Sequence, residues 1–236
     1  MTNNKLAVLI DSDNAQAAIA QELLNEVARY GTATVKRAYG DWTTTNLSGW
    51  KETLHSLAIQ PIQQFRFTVG KNATDSALII DAMDLLHSGG VDGFCLVSSD
   101  SDFTRLATRI REAGLAVYGF GERKTPKPFV AACDKFIFTE ILRTSSPEKV
   151  QPEPTQESLH TILVPAIAAA AREDGWAALS AVGNLATKSH PSFDSRNYGC
   201  QKLSELIRKQ KFLDTKSVAS SDGSPNVHYY VRVKET

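Results

Sequence analysis

The chain is poor in cysteine, with only Cys95, Cys133 and Cys200. They are odd in number, far apart and without a C-x-x-C pair, which argues against a cysteine-based zinc site and against a disulfide framework. Cys95 lies inside an apolar run and reads as a small buried hydrophobe. Histidine is equally dispersed, at His55, His87, His160, His190 and His228, so a metal-independent histidine pair acting as acid and base has little support. No N-terminal signal peptide and no long apolar span are evident, so a soluble, cytoplasmic protein with no membrane partner is expected. Nor is there an excess of charge of one sign: 26 Lys and Arg balance 26 Asp and Glu, so composition alone does not announce a nucleic-acid binder.

What the first half does contain is aspartate in telling places. Asp11, Asp75, Asp81, Asp100 and Asp102 lie at or close to the ends of apolar runs. Leu6-Ala7-Val8-Leu9-Ile10 reads as a strand buried on both faces, and it ends in Asp11-Ser12-Asp13-Asn14. Phe94-Cys95-Leu96-Val97 repeats the pattern, ending in Ser98-Ser99-Asp100-Ser101-Asp102 before an amphipathic stretch. In open α/β sheets ligands bind outside the carboxyl ends of the strands, where strand order reverses, so these two strands are expected to be neighbours at such a point. Asp75 opens a third helical stretch. Each acid also has a plain explanation as a helix cap or dipole partner, Asp13 and Asp102 especially. Together they exceed what capping requires, and clustered carboxylates favour a bound magnesium or manganese ion engaged in phosphate-ester chemistry. Asp81, well inside its helix, can line the crevice or face solvent.

Strands are expected at Lys5 to Ile10, Thr34 to Tyr39, Ile62 to Phe67, Phe94 to Ser98, Ala116 to Phe120 and Lys135 to Phe138. Helices are expected at Ala15 to Tyr30, Leu47 to Ala58, Ala73 to His87, Asp102 to Ala113 and Lys127 to Ala132. The alternation specifies an α/β fold, a parallel sheet with helices on both faces. From Met1 to Arg143 there are 15 basic and 16 acidic residues, and with the five candidate acids set aside 15 face 11. A bound divalent ion would therefore expose a positive remainder to a phosphate backbone. Lys71, Arg105, Arg123, Lys124 and Lys127 are candidates for the crevice mouth, or ordinary solvated cations. Trp42 offers either a base-stacking ring or a local packing anchor, the latter favoured.

Ile10-Asp11-Ser12-Asp13-Asn14, Lys71-Asn72-Ala73-Thr74-Asp75 with Asp81, Ser98-Ser99-Asp100-Ser101-Asp102-Phe103, Gly119-Phe120-Gly121 and Cys133-Asp134-Lys135-Phe136 follow in an order that resembles the bacterial NYN domains of the PIN-like nuclease superfamily, over about residues 5 to 143. The resemblance implies a metal-dependent ribonuclease, with Asp11, Asp75, Asp100 and Asp102 as metal-site residues, Asn14 as a polar position beside the first acid and Asp81 as a further acid. Ser12 and Ser99 stand where many relatives have Gly or Ala, which narrows the pocket and leaves every acid in place.

After Arg143 the texture changes. Residues 144–155, with few apolar groups and three prolines among Thr144 to Pro154, read as an extended linker between a first domain, 1–143, and a second, 156–236. The second domain is expected to hold helices at Leu159 to Arg172, Leu179 to Thr187 and Cys200 to Lys209, then a hairpin from Phe212–Asp214 and Val227–Val233 across Ser220 to Asn226. That order specifies a winged helix-turn-helix. Gly175-Trp176-Ala177-Ala178-Leu179, Val182-Gly183, Phe193, Tyr198-Gly199, Leu203 and Phe212 resemble the LOTUS domain, also called OST-HTH, which implies an RNA-binding or protein-interaction module. Trp176, Phe193, Tyr198 and Phe212 are expected in the core rather than stacked on bases. Lys188, Arg196, Lys202, Arg208, Lys209 and Lys211 gather around the third helix, a surface suited to phosphates.

The expectation is a divalent-metal-dependent endoribonuclease with a tethered RNA-binding domain. One ion, or two, would be held by Asp11, Asp100 and either Asp75 or Asp102 and would activate water for in-line attack. Asn14, Ser99, Lys71 and Arg105 would position substrate, with Arg208, Lys209 and Lys211 holding RNA. Two rivals stay open, a non-catalytic RNA-binding adaptor and a DNA-directed PIN-like nuclease. The oligomeric state is open too, a homodimer among the options.

Overall fold

The computed structural model describes residues 4–65, 73–143, 158–219 and 227–234. The expected linker and Lys71 lie outside these residues. The chain divides into two compact units, Met1–Ser145 and Ser146–Thr236. No helix among the described residues is long and apolar enough to cross a membrane.

The first unit is built on six parallel strands: β1 (Lys5–Asp11), β2 (Thr32–Gly40), β3 (Gln60–Gln63), β4 (Gly93–Val97), β5 (Ala116–Gly121) and β6 (Lys135–Phe138). Their order in space is β3-β2-β1-β4-β5-β6, so the chain walks outward from β1 to β3 and then returns to the other side of β1. The reversal falls between β1 and β4, the place where open α/β sheets take ligands at the strand C-termini.

The unbroken apolar runs of β1 and β4 follow from burial on both faces. Along β1, Ala7 and Leu9 join one core with Leu78, Phe94, Phe103, Ile110 and Phe136, while Leu6, Val8 and Ile10 join another with Leu23, Val27, Trp50, Leu54 and Val97. This alternation covers one face with α3 (Ala73–Ser88), α4 (Thr104–Glu112) and α5 (Lys127–Ala132), and the other with α1 (Ala20–Val27) and α2 (Trp50–Ser56). Cys95 and Cys133 are buried thiols, and burial pushes the Cys133 thiol up to about 12. Two glycines of β5 let the strand end pack closely: a Cβ on Gly119 would meet the Phe136 ring at 2.4 Å, and one on Gly121 the Ser98 carbonyl oxygen at 2.5 Å.

Among the elements whose bounds differ from expectation, two have a cause visible in their hydrogen bonds. The first helix is shorter, because the amides of Asn14 and Ala15 both donate to the Asp11 carbonyl and form a turn before a 3-10 segment at Ala17–Ile19. Strand β3 begins earlier than Ile62, at Gln60, by backbone pairing from Arg37↔Gln60 to Gly40↔Gln63. An edge strand needs no apolar run, so its polar start carries no hydrophobic signal.

The second unit contains α6 (Leu159–Ala170), α7 (Leu179–Ser189) and α8 (Leu203–Arg208) with an antiparallel sheet of order β7-β9-β8, where β7 is Ala177–Ala178, β8 Leu213–Ala219 and β9 Val227–Val233. Ile162, Leu163, Ile167, Val182, Phe193, Leu206, Ile207 and Val231 form its core. This is a winged helix-turn-helix architecture, with the short strand β7 added to the hairpin. Gly199 ends the 3-10 turn Ser195–Tyr198 at φ 71, the left-handed conformation that glycine adopts without strain.

Candidate metal centre

Asp11 ends β1 as a fully buried carboxylate. Its Oδ1 accepts from the Asp13 amide at 3.2 Å, and its Oδ2 accepts from Asn14 Nδ2 and Ser98 Oγ, each at 2.7 Å. Burial raises the Asp11 pKa, and the bonds from Ser98 and Asn14 oppose the rise. The β1–β4 register, with Ile10 opposite Val97, brings Asp11 and Ser98 together. Ser98 Oγ in turn accepts from the Asp100 amide at 3.1 Å. Asp100 caps the 3-10 turn Ser101–Phe103, its Oδ1 accepting from the Asp102 amide at 2.9 Å.

Asp75, in the first turn of α3, faces these residues. Carboxylate oxygens of Asp75, Asp100 and Asp102 lie within 4.8 Å of one another. The Asp75 carboxyl is pushed up to about 6, first by burial and then by the charges of Asp11, Asp100, Asp102 and Asp13. The capping role foreseen for Asp102 thus falls to Asp100, and Asp102 offers its own oxygen to the group. Asp11 stands beside this trio, its charge the first of those felt by Asp75, with one hydrogen bond on Oδ1 and two on Oδ2.

An all-carboxylate donor set whose charges repel one another fits a hard divalent cation such as magnesium or manganese. It offers no thiolate or imidazole to a softer metal.

Asp81 is not in the group: Arg37 Nη1 and the Tyr39 hydroxyl both engage its carboxylate. Arg37 and Tyr39 share one face of β2, so Asp81 fastens α3 to that strand. Burial and the Asp81 charge push the Tyr39 phenol far above its usual range. Asn14 is turned to Asp11, and Ser99 Oγ accepts from the Glu122 amide at 2.9 Å, tying β4 to β5. Arg105 is exposed on the first turn of α4. Lys124 pairs with Glu122, and Arg123 lies over the Phe138 ring. Trp42 Nε1 donates to the Ile62 carbonyl at 3.0 Å and its ring packs on the core, an anchor between strands. The residue to which sequence reasoning gave no role is Ser98; its place at a strand end was visible, its two bonds were not.

In the second unit Arg196 is engaged by Asp194, Arg208 lies over Tyr229, and Lys209 Nζ turns to Cys200 Sγ at 3.2 Å. Lys188, Lys202 and Lys211 are exposed. Phe193, Tyr198 and Phe212 join the core as expected. Trp176 does not: Lys216 Nζ stands 4.3 Å and the Arg232 guanidinium 4.8 Å from its ring centre.

Residues 5–142 match the NYN domain model and residues 153–223 the OST-HTH/LOTUS domain model. No curated protein matches the chain. Similar solved structures include a protein of unknown function from Vibrio parahaemolyticus, 19% identical over 57% of this chain and 91% of that one, with a TM-score of 0.48. An uncharacterized protein from Nitrosomonas europaea is 31% identical over 39% of this chain and 89% of that one, with a TM-score of 0.32. A protein segment from Chromobacterium violaceum is 35% identical over 36% of this chain and 90% of that one, with a TM-score of 0.29. By the extent of the match, the parallel sheet and the carboxylates at its switch point, the chain belongs to the NYN domain family and carries an OST-HTH/LOTUS domain after it.

Proposed function

We propose that the protein is a divalent-metal-dependent endoribonuclease, with a nuclease domain at 1–143, a linker at 144–155 and an RNA-binding domain at 156–236. The observation that carries the reading is the approach of Asp75, Asp100 and Asp102 oxygens to within 4.8 Å of one another at the reversal point of the sheet. Membership of a family related to PIN-like nucleases, together with the OST-HTH/LOTUS domain, supports it.

Asp75, Asp100 and Asp102 would hold magnesium or manganese, which when bound supplies an activated water and neutralises charge on the leaving oxygen. The chain's own part is positioning. Ser98 and Asn14 hold Asp11 fixed beside the trio, and the Asp100 cap orients the turn that presents Asp102. Arg105, exposed at the start of α4, and Lys71 are placed in sequence to receive the substrate backbone.

Cleavage of labelled single-stranded RNA, duplex RNA and single-stranded DNA, each with magnesium, manganese or a chelator, tests the reading. The expected result is RNA cleavage that the chelator and Asp100→Asn both abolish. RNA binding without cleavage under any metal would make the protein an adaptor, and preferential cutting of DNA would move it to the DNA-directed nucleases.

A further inference from the structure

The three-stranded sheet of the second unit has one face on the helices and one away from them. Leu213 and Val231 point into the core, so Asp214 and Lys216 of β8 and Tyr230 and Arg232 of β9 point outward, in the cross-strand pairs Asp214↔Arg232 and Lys216↔Tyr230. Trp176 precedes Ala177, which is buried opposite Val231, so its ring falls on the same outer face.

There the side chains interleave. Arg172 lies 5.6 Å from the Tyr230 ring centre, Lys216 lies 5.6 Å from Tyr230 and 4.3 Å from Trp176, and Arg232 lies 4.8 Å from Trp176. The sequence Arg172, Tyr230, Lys216, Trp176, Arg232 is thus a continuous row of alternating cations and rings. Three carboxylate contacts temper it: Lys216 with Asp174 at 3.7 Å, Arg232 with Asp214 at 3.3 Å and Lys234 with Asp214 at 4.0 Å. Half-exposed pairs of this kind contribute little and exchange readily. Arg172, Lys216, Arg232 and Lys234 against Asp174 and Asp214 leave an excess of positive charge on the face.

Flat rings beside cations match a polymer with planar bases and regularly spaced anions. The exposed α8 cations Lys202, Arg208, Lys209 and Lys211 are a weaker match, since among the described residues only Arg208 lies over a ring, that of Tyr229. We infer that the outer sheet face, centred on Trp176, Tyr230, Lys216 and Arg232, is the surface on which the second domain takes single-stranded RNA, its cations exchanging Asp174 and Asp214 for phosphates. This rests on the reading of that domain as RNA-binding and assigns the binding to a different surface from α8.

The test uses the full chain carrying Asp100→Asn, so that RNA survives, and a fluorescent oligouridine titrated at several salt concentrations. Adding Lys216→Gln with Arg232→Gln should weaken binding about tenfold at 0.1 M salt and lower the salt slope by about 1.4, the release expected for two phosphate contacts on a single strand. A 4-thiouridine oligonucleotide crosslinked to the chain without surface substitutions should attach at Trp176 or Tyr230, a readout that no folding defect of a variant can imitate. Unchanged affinity in that double variant, or crosslinks confined to α8, overturns the assignment. If Arg208, Lys209 and Lys211 changed together to Ala then abolish binding, the domain still binds RNA, by α8. If the Asp100→Asn chain binds no oligouridine at all, the RNA-binding reading fails with it, and an acidic protein segment becomes the occupant to seek.

Discussion

The Ser98 hydroxyl joins the two strand ends that frame the centre: it donates to Asp11 Oδ2 at 2.7 Å and accepts from the Asp100 amide at 3.1 Å. Both Asp11 and Ser98 are buried, so water does not replace the bond between them when it is lost. Ser98→Ala should therefore destabilise the first domain by about 1–3 kcal/mol, the cost of an unmet buried polar group. It should also weaken magnesium binding, because the turn carrying Asp100 and Asp102 loses its anchor. Thermal melts with and without magnesium check both, and a variant with wild-type stability and metal dependence would remove Ser98 from the account.

Asp75 gives the centre a pH signature in the absence of divalent ions. Its folded pKa of about 6 stands above the ordinary 3.8, so the folded state binds that proton more tightly than the unfolded state does. Above about pH 6 the fold bears the full cost of burying the Asp75 charge and of its repulsion with Asp11, Asp100, Asp102 and Asp13, and that penalty fades as pH falls through the window from about 6 to 3.8. With solvent screening of a half-exposed group allowed for, about 1 kcal/mol is expected. In chelator at pH 7 Asp75→Asn should thus be more stable than wild type by about that amount, and the two should converge near pH 4. Magnesium should reverse the order, since binding to the folded wild type adds stability that the variant lacks. Denaturant melts across pH, with and without magnesium, are the measurement.

What the sequence disclosed and what it withheld divide on physical lines. Strands β1 and β4 are legible because burial on both faces demands uninterrupted apolar residues, and the acids at their ends are legible because a strand end is a place in the fold. The engagement of Asp81 is not legible: its partners Arg37 and Tyr39 lie more than forty positions away, and helical periodicity says nothing about which strand a helix crosses. Trp176 shows the same limit from the other side. In sequence it is one large aromatic among several, and only the pairing of β7 with β9 separates the outward ring from the inward Phe193.

Asp81 supports a prediction that separates architecture from chemistry. Its carboxylate and the Arg37 guanidinium are each about one quarter exposed, so breaking the pair should cost more than a surface ion pair and less than a fully buried one, about 2 kcal/mol. Asp81→Asn should lower the melting temperature while leaving the cleavage rate at saturating magnesium within a few fold of wild type. Loss of cleavage comparable to that of Asp100→Asn, in a variant that still folds, would place Asp81 in the metal site after all.

The division of the chain into two compact units supplies the last prediction. The acids, their hydrogen-bonded neighbours and both cores that hold them lie within residues 5–142, so a protein ending at Ser145 contains all the groups proposed to act in cleavage. It lacks the second domain, which as the proposed RNA-binding module would raise the local concentration of substrate around the first by tethering. The truncated protein should therefore cleave at a similar rate when RNA saturates it, but need about ten- to a hundredfold more RNA to reach that state. Its binding should also depend less steeply on salt, because fewer phosphates are contacted. Single-turnover cleavage against RNA concentration at two ionic strengths measures both quantities. Equal half-saturation and equal salt slope for the two proteins would show that the second domain serves a protein partner, and a truncated protein that folds but cannot cut would show that the second domain completes the site.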